Sequence, residues 1–305
     1  MENFDIIIIG SGPAGITASI YGSRAGLKTL VIAGPAPGGQ LLQTMDIENF
    51  PGFEHPISGF DLMTKMINQS KRLGTKIINE FAKELDLSKT PFTVKTGANI
   101  YQTKSVIIAT GANAKWLGLE SEQRLIGRGV SSCATCDGFF YKGKTVCVIG
   151  GGDSACEEAI FLTNFAQKVY LIHRRDQLRA AYIMQEKVKK NPKIEIIYDH
   201  IPSEIIGENK VSGIKIKNVK TQEEKKIDLD GVFIAIGHHP NSEIVKGKVK
   251  LDDHGYIVVD SNFQTSVPGV FACGDVADTI YKQAIVASGT GCMAAMNAIK
   301  FVESV

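Results

Sequence analysis

This 305-residue sequence has no block of basic residues and no low-complexity run, and its 34 lysines and arginines against 32 acids leave a net charge of only +2. Nothing in that balance calls for nucleic acid or an anionic membrane as partner. The opening Met1-Glu2-Asn3-Phe4-Asp5 lacks the basic start of a signal peptide. The apolar Ile6 to Ile9 that follows falls far short of the ~20 residues of a spanning helix, so a buried first strand is expected there and no membrane association. Cysteine is scarce, six in all, and without a secretory signal that number excludes a disulfide scaffold. The compartment it suggests is the reducing cytoplasm. Apolar residues at 44% and charged residues at 22% are ordinary for a globular protein, and the length suits two domains.

What the chain does have is two glycine-rich nucleotide patterns. Asp5 to Ile9 is apolar without alternation, as expected of a parallel strand covered on both faces. Gly10-Ser11-Gly12-Pro13-Ala14-Gly15 follows at once, then a helix from Ile16 to Arg24 and a second strand from Leu27 to Ile32. In this unit Gly10 permits the tight turn, Gly12 lets backbone approach a pyrophosphate, and Gly15 seats the helix close to the strand. The helix N-terminus offers amide donors and a positive dipole end to phosphates. The acid that usually binds a ribose is missing, because the second strand ends Ile32-Ala33-Gly34-Pro35. Backbone of the next loop, Ala36-Pro37-Gly38-Gly39-Gln40, can take its place. That loop and Glu48-Asn49-Phe50-Pro51-Gly52 read equally as plain surface connections.

A helix is expected from Phe60 to Leu73, strands at Lys76 to Asn79 and Phe92 to Thr96, and a buried strand from Val106 that ends in a turn at Gly111. From Ala112 to Gly129 the composition is that of loop, a candidate crossing between domains. The second pattern is the strand Thr145 to Ile149, the loop Gly150-Gly151-Gly152-Asp153-Ser154-Ala155 and a helix from Ala155 to Phe165. The next strand, Lys168 to Ile172, again lacks a terminal acid and ends in His173-Arg174-Arg175. Guanidinium groups there, joined by Arg179, fit the 2′-phosphate of NADPH better than the 2′-hydroxyl of NADH. A solvated strand end is the plainer alternative. Gly231 to Gly237 repeats the pattern of Val106 to Gly111, so one plan occurs twice. His238-His239-Pro240-Asn241 then forms a second crossing, in which adjacent imidazoles point apart and suit a hinge rather than a metal. Near the end, Val270 to Asp275 is a buried strand that puts the carboxylate after Gly274 at a sheet edge, where a ribityl or ribose hydroxyl is its natural partner. The closing helix, Gln283 to Phe301, can aim its first turn at a flavin.

Between the two patterns lies Ser131-Ser132-Cys133-Ala134-Thr135-Cys136-Asp137-Gly138. Cysteines two residues apart close a small disulfide ring with little backbone movement, so the pair can cycle between dithiol and disulfide. A carboxylate next to a thiol raises its pKa and slows attack, so Asp137 suits proton transfer better than nucleophile activation. The alternative for Asp137 is a simple Asp-Gly turn residue. The remaining cysteines, Cys147, Cys156, Cys273 and Cys292, are scattered singly and read as small buried hydrophobes, which leaves no zinc site and no other metal site.

End to end, these motifs resemble the low-molecular-weight, bacterial-type thioredoxin reductases of the pyridine nucleotide-disulfide oxidoreductase family. The resemblance rests on Gly10 to Gly15, Gly38-Gly39-Gln40, Cys133-Ala134-Thr135-Cys136-Asp137-Gly138, Gly150 to Ala155, His173-Arg174-Arg175-Asp176, Ala235-Ile236-Gly237-His238 and Gly274-Asp275-Val276. It implies an α/β chain with two Rossmann-like domains, an NADPH domain (113–241) inserted into a discontinuous FAD domain (1–112 and 242–305). FAD would lie on the first glycine loop, Ala33-Gly34, Gly38 to Gln40, Asn49, Gly111, Gly274-Asp275 and Lys282-Gln283-Ala284. NADPH would lie on Gly150 to Ala155, His173, Arg174, Arg175 and Arg179. Hydride would pass to the flavin, the flavin would reduce the Cys133–Cys136 disulfide, and the dithiol would reduce thioredoxin. Cys136 would face the flavin, Cys133 would attack the substrate, and Asp137 would carry the proton. Rotation of the domains between half-reactions and a homodimer are implied as well. Lys282 stands where the family commonly has Arg, and Cys273 where it has Ala. A reductase of another disulfide and a nucleotide-binding redox sensor are the competing functions.

Overall fold

The computed structural model describes residues 1–44, 46–97 and 99–305. The chain forms two units, Met1–Asn113 with His239–Val305 and, inserted between them, Ala114–His238. In chain order the first unit opens with β1 (Glu2–Ile9), α1 (Pro13–Arg24), β2 (Thr29–Ile32), α2 (Gly59–Arg72), β3 (Lys76–Ile78), β4 (Glu84–Asp86), β5 (Phe92–Lys95) and β6 (Ile100–Ile108). The short β7 (Ala112–Ala114) leads to α3 (Glu120–Leu125), β8 (Val130–Ser131), α4 (Ala134–Asp137), β9 (Thr145–Gly150), α5 (Asp153–Leu162), β10 (Lys168–Ile172) and α6 (Tyr182–Lys190). Then come β11 (Ile194–Ile197), β12 (His200–Gly207), β13 (Val211–Asn218), β14 (Glu224–Asp228), β15 (Gly231–Ala235) and β16 (His238–Pro240), and finally β17 (Val270–Ala272) and α7 (Ala284–Glu303).

In the first unit β3, β2, β1 and β6 form a parallel sheet in that order, β17 joins β6 in parallel, and β5 and β4 extend it antiparallel. The unbroken apolar run of β1 follows from burial on both faces. Ile7 and Ile9 meet one core with Leu30, Ile32 and Ile108, while Ile6 and Ile8 meet a second with Val31, Ile107 and the alanines of α7. The strand starts at Glu2, earlier than its apolar run, because Glu2 is held by Lys28 and Lys76 at 3.3 and 2.6 Å. α7 is seated directly on α1: a Cβ on Gly291 would collide with the Ala14 carbonyl. Among the described residues α7 is the one helix whose length and apolar composition could cross a membrane, and its buried Ala287, Gly291, Ala294, Ala295 and Ala298 face this core instead.

The second unit has a five-stranded parallel sheet, β11-β10-β9-β15-β8, and an antiparallel meander, β12-β13-β14. Both units are therefore α/β, and each carries a Rossmann-like β-loop-α-β start. The stretch from Ala112 to Gly129, expected as loop, contains α3. A fully buried Glu122 accounts for it, since its two carboxylate oxygens accept the Leu117 and Gly118 amides at 2.9 Å each. α5 stops at Leu162 rather than Phe165, because the amides of Thr163, Asn164 and Phe165 bond back three residues and tighten the end. Each unit also fixes its own chain ends. In the first, the Thr110 hydroxyl donates to the Asn241 carbonyl (2.6 Å) and the Asn241 amide to the Thr110 carbonyl (3.0 Å). In the second, the Lys115 N–H donates to the Gly237 carbonyl at 2.9 Å.

Candidate redox and nucleotide-binding sites

In the second unit the chain leaves β8 and turns at once into α4, with Cys133 capping it. The Ser131 hydroxyl accepts the Cys133 N–H at 3.1 Å, and the Cys133 sulfur accepts the Cys136 N–H at 3.2 Å. The two cysteines form a disulfide. Thr135 Oγ1 lies 3.3 Å from the Cys133 sulfur. Asp137 ends the turn, half-buried. Burial raises its carboxyl above the ordinary range, and the Ser131 hydroxyl pulls it partly back. The following 3₁₀ turn holds Gly138 against Phe161 and Leu162 and buries Tyr141 on Phe233 at 5.2 Å between ring centroids. Phe139 and Phe140, by contrast, stay 58% and 40% exposed beside the disulfide.

The glycine loop of this unit joins β9 to α5. A Cβ on Gly151 would strike the His173 ring, whereas one on Gly152 meets no atom within 4 Å. The loop is thus closed beneath and open above. His173 is buried under Gly151 with its Nε2 unpartnered among the described residues, so it supports the loop from below, while Arg174 and Arg175 after it are exposed. Burial lowers its pKa. The segment after β10 is tied to the loop through backbone, with the Arg179 N–H donating to the Gly151 carbonyl (2.6 Å) and the Ala181 N–H to Asp153 Oδ1 (2.8 Å). Leu178 and Ala180 anchor it in the core. Arg174, Arg175 and Arg179 are left exposed, and none is in an ion pair among the described residues. Ser154, on the first turn of α5, is exposed, and Ala155 is fully buried where the helix meets the sheet.

In the first unit Gly10 has φ +113°, and a Cβ there or on Gly15 would collide with backbone, while one on Gly12 meets nothing within 4 Å. Pro13 starts α1 without wasting a donor. Ser11 bolts the neighbouring loops together, donating to the Ala33 carbonyl (2.9 Å) and accepting the Gly38 N–H (3.2 Å). Beside Gly34, at φ +78°, the chain turns away into the Gly38–Gln40 loop. Gly39 lies so close to Gly12 that a Cβ would stand 3.0 Å from its Cα. Gln40 donates to the Ala112 carbonyl, next to Gly111. Asn49 donates to Gln283 Oε1 at 3.4 Å, just ahead of Ala284 and α7. Gly274 packs against the Ala14 methyl and donates its N–H to the Thr290 hydroxyl at 3.0 Å. Burial, with Asp278 adding to it, pushes the Asp275 carboxyl up to about 6. Lys282 adopts φ +47°; its ammonium donates to the Thr279 carbonyl (2.8 Å) and lies 5.3 Å over the Tyr256 ring. The ammonium thus meets both a carbonyl and an aromatic face. Ser11 thus ties Ala33 and Gly38 to the first glycine loop and Gly39 closes on Gly12, while Asn49 meets Gln283.

Three of the single cysteines are buried, and burial pushes the Cys273 thiol up to about 12 and the Cys156 thiol up to about 11. Cys292 departs from expectation. It is only half-buried on α7, because its position faces Met296 and Tyr21 at the surface rather than the sheet. Glu158 on α5, which the sequence reading passed over, is a buried carboxyl pushed up to about 8 by desolvation, the largest carboxyl shift in the unit. Its signal was its place on the buried 155-159-162 stripe of α5.

The family model for pyridine nucleotide-disulphide oxidoreductases matches residues 4–291. The chain is 54% identical over 303 residues to the thioredoxin reductase of Rickettsia conorii, covering 98% of both chains. It superposes on the solved thioredoxin reductase of Streptococcus pyogenes with a TM-score of 0.95 at 42% identity, covering 99% of each chain. The solved thioredoxin reductase of Giardia duodenalis gives 0.95 at 41%, over 99% of this chain and 100% of that one. An oxidoreductase that works with a flavin and a pyridine nucleotide is what two open glycine cradles and one redox disulfide add up to, and the chain belongs to the pyridine nucleotide-disulphide oxidoreductase family, among its bacterial-type thioredoxin reductases.

Proposed function

We propose that the protein is an NADPH-dependent, FAD-containing reductase of the thioredoxin disulfide. The observation that carries this reading is the Cys133–Cys136 disulfide, with a half-buried Asp137 beside it, in the same unit as a glycine loop flanked by three exposed guanidinium groups that form no ion pair among the described residues. Relatives named thioredoxin reductase at about half identity support the choice of substrate. The first cradle suits FAD: Gly12 leaves room for a pyrophosphate, and the Asp275 carboxyl waits at the sheet edge for a hydroxyl. The second suits NADPH through Arg174, Arg175 and Arg179. Bound there, the two cofactors supply the electron pair that opens the disulfide.

The protein's own residues do the rest. The Cys133 sulfur, with the Cys136 amide and the Thr135 hydroxyl around it, attacks the substrate disulfide as the thiolate. Cys136 then attacks the Cys133 sulfur of the mixed disulfide and releases the substrate's second thiol. Asp137, held above the usual carboxyl range, gives a proton to the departing sulfur and recovers it in the next cycle. Phe139 and Phe140 offer a protein partner apolar contact beside the reacting sulfur.

Purified protein loaded with FAD should consume NADPH continuously with oxidised thioredoxin, forming one dithiol per NADPH. NADPH consumption that no thioredoxin in a panel accelerates would overturn the proposal. The single-chain crossings at residues 113–114 and 238–239 also suit rotation of the units during each cycle. A crosslink fixing one unit to the other should then stop turnover with both cofactors still bound, and full turnover in that form would contradict rotation.

A further inference from the structure

Behind the disulfide α5 packs on α4, and positions 155, 158, 159 and 162 form one stripe of α5. Ala155, Ala159 and Leu162 are fully buried, and the fourth member of this stripe is Glu158. Its carboxyl faces the backbone amide of Ala134, the residue that follows Cys133 inside the disulfide ring. Its Oε2 is buried without a hydrogen-bond partner among the described residues. A carboxylate carrying a full charge with one oxygen orphaned in an apolar stripe is costly, and the neutral acid is favoured instead.

We propose that Glu158 is a positioning residue for the redox pair: a carboxyl kept neutral behind the Cys133–Cys136 ring, whose ionisation places a negative charge against Ala134 and makes the dithiol a weaker acid. This deepens the reading of the pair as redox-active and rests on it. Desolvation pushes the carboxyl up to about 8, Glu157 on the same helix raises it further, and the Ala134 amide pulls it back. The groups around it are few. α4 and its flank bring Cys133, Cys136 and Asp137, and the turn beyond brings Tyr141. α6 contributes Met184 and Val188 to this core, with Lys187, Lys189 and Lys190 on its exposed side. β9, β10 and β15 contribute Val148, Val169, Leu171 and Phe233. Glu158 forms no ion pair among the described residues, so its ionisation is felt at the adjoining redox turn. Opening the disulfide takes up two electrons from the bound cofactors and, with both sulfurs protonated, two protons; each proton held back leaves a thiolate, which an anion at Glu158 disfavours.

The test uses the FAD-loaded enzyme reduced with dithiothreitol, with the alkylation rate of the peptide carrying Cys133 and Cys136 followed by mass spectrometry between pH 5 and 10. No substrate takes part, so the outcome stands apart from whether thioredoxin is the partner. In wild type the rate profile should be flattened near pH 8, where Glu158 ionises. Glu158→Gln keeps the shape and loses the charge, and its rate at pH 8 to 9 should be about threefold higher or more, with the rates below pH 6 unchanged. Unfolding supplies the second readout. A carboxyl whose folded pKa is raised is protonated in the fold while the unfolded chain releases its proton, so it lowers stability progressively as pH rises from the unfolded value of 4.5 towards 8. The denaturation midpoint of Glu158→Gln should therefore gain on wild type across that window and match it below. Superimposable alkylation profiles, or a midpoint difference that does not change with pH, would overturn the proposal.

Discussion

Cys136→Ser is expected to lower NADPH-driven thioredoxin reduction by about 10³-fold or more, while NADPH still bleaches the absorbance of the bound flavin. The serine oxygen cannot close a ring with Cys133, so electrons reach the unit and have no disulfide to enter. The fold itself should tolerate the change. The Cys136 side chain is only half-buried, and the turn is held by backbone, with the Asp137 N–H on the Cys133 carbonyl at 3.2 Å. Cys133→Ser should fail just as completely in turnover but differ in kind. It removes the sulfur that attacks the substrate disulfide, so a covalent adduct with thioredoxin should be trapped by Cys136→Ser and not by Cys133→Ser. Steady-state turnover in Cys136→Ser within tenfold of wild type would end the assignment of this pair as the redox centre.

Much of the scaffold was legible because its signals are local. β1 announces itself in Ile6 to Ile9, and a collision at Gly10 or Gly15 demands glycine whatever packs elsewhere. The Cys133–Cys136 spacing fixes the ring within four residues of chain. What escaped depends on neighbours far away in sequence. α3 exists because Glu122 satisfies the amides of Leu117 and Gly118 from a buried position, and a glutamate in a polar stretch carries no apolar period to show it. His173 sits beside two exposed arginines in sequence, yet it turns inward under Gly151, and only the approach of the glycine loop decides that direction. Cys292 alternates with buried alanines on α7 but falls on the side towards Tyr21, which helical spacing alone did not separate. Glu158 is the clearest case. It shares a face of α5 with Ala155, Ala159 and Leu162, but nothing local says that this face backs the redox turn.

The double change Arg174→Ala with Arg175→Ala should raise the KM for NADPH by about 10²- to 10³-fold and leave the KM for NADH within about twofold. Each guanidinium would supply a charge-assisted hydrogen bond to the 2′-phosphate, worth about 1.5–3 kcal/mol, and solvent exposure keeps the pair towards the lower end of that range, about 3–4 kcal/mol together. The structure favours a ligand effect over a folding effect. Both side chains are exposed and unpaired among the described residues, and their neighbours Leu178 and Ala180 provide the buried anchors of the segment. The backbone ties of Arg179 to Gly151 and Ala181 to Asp153 do not involve either side chain, so the loop should keep its place. NADH lacks the 2′-phosphate and never used those charges, which is why its KM serves as the internal control. Raising the salt concentration should weaken NADPH binding in wild type more than in the double variant, since the attraction removed is electrostatic and partly solvent-exposed. Equal losses for both nucleotides would show that the arginines shape the loop instead of reading the phosphate, and specificity would then have to come from Arg179 alone.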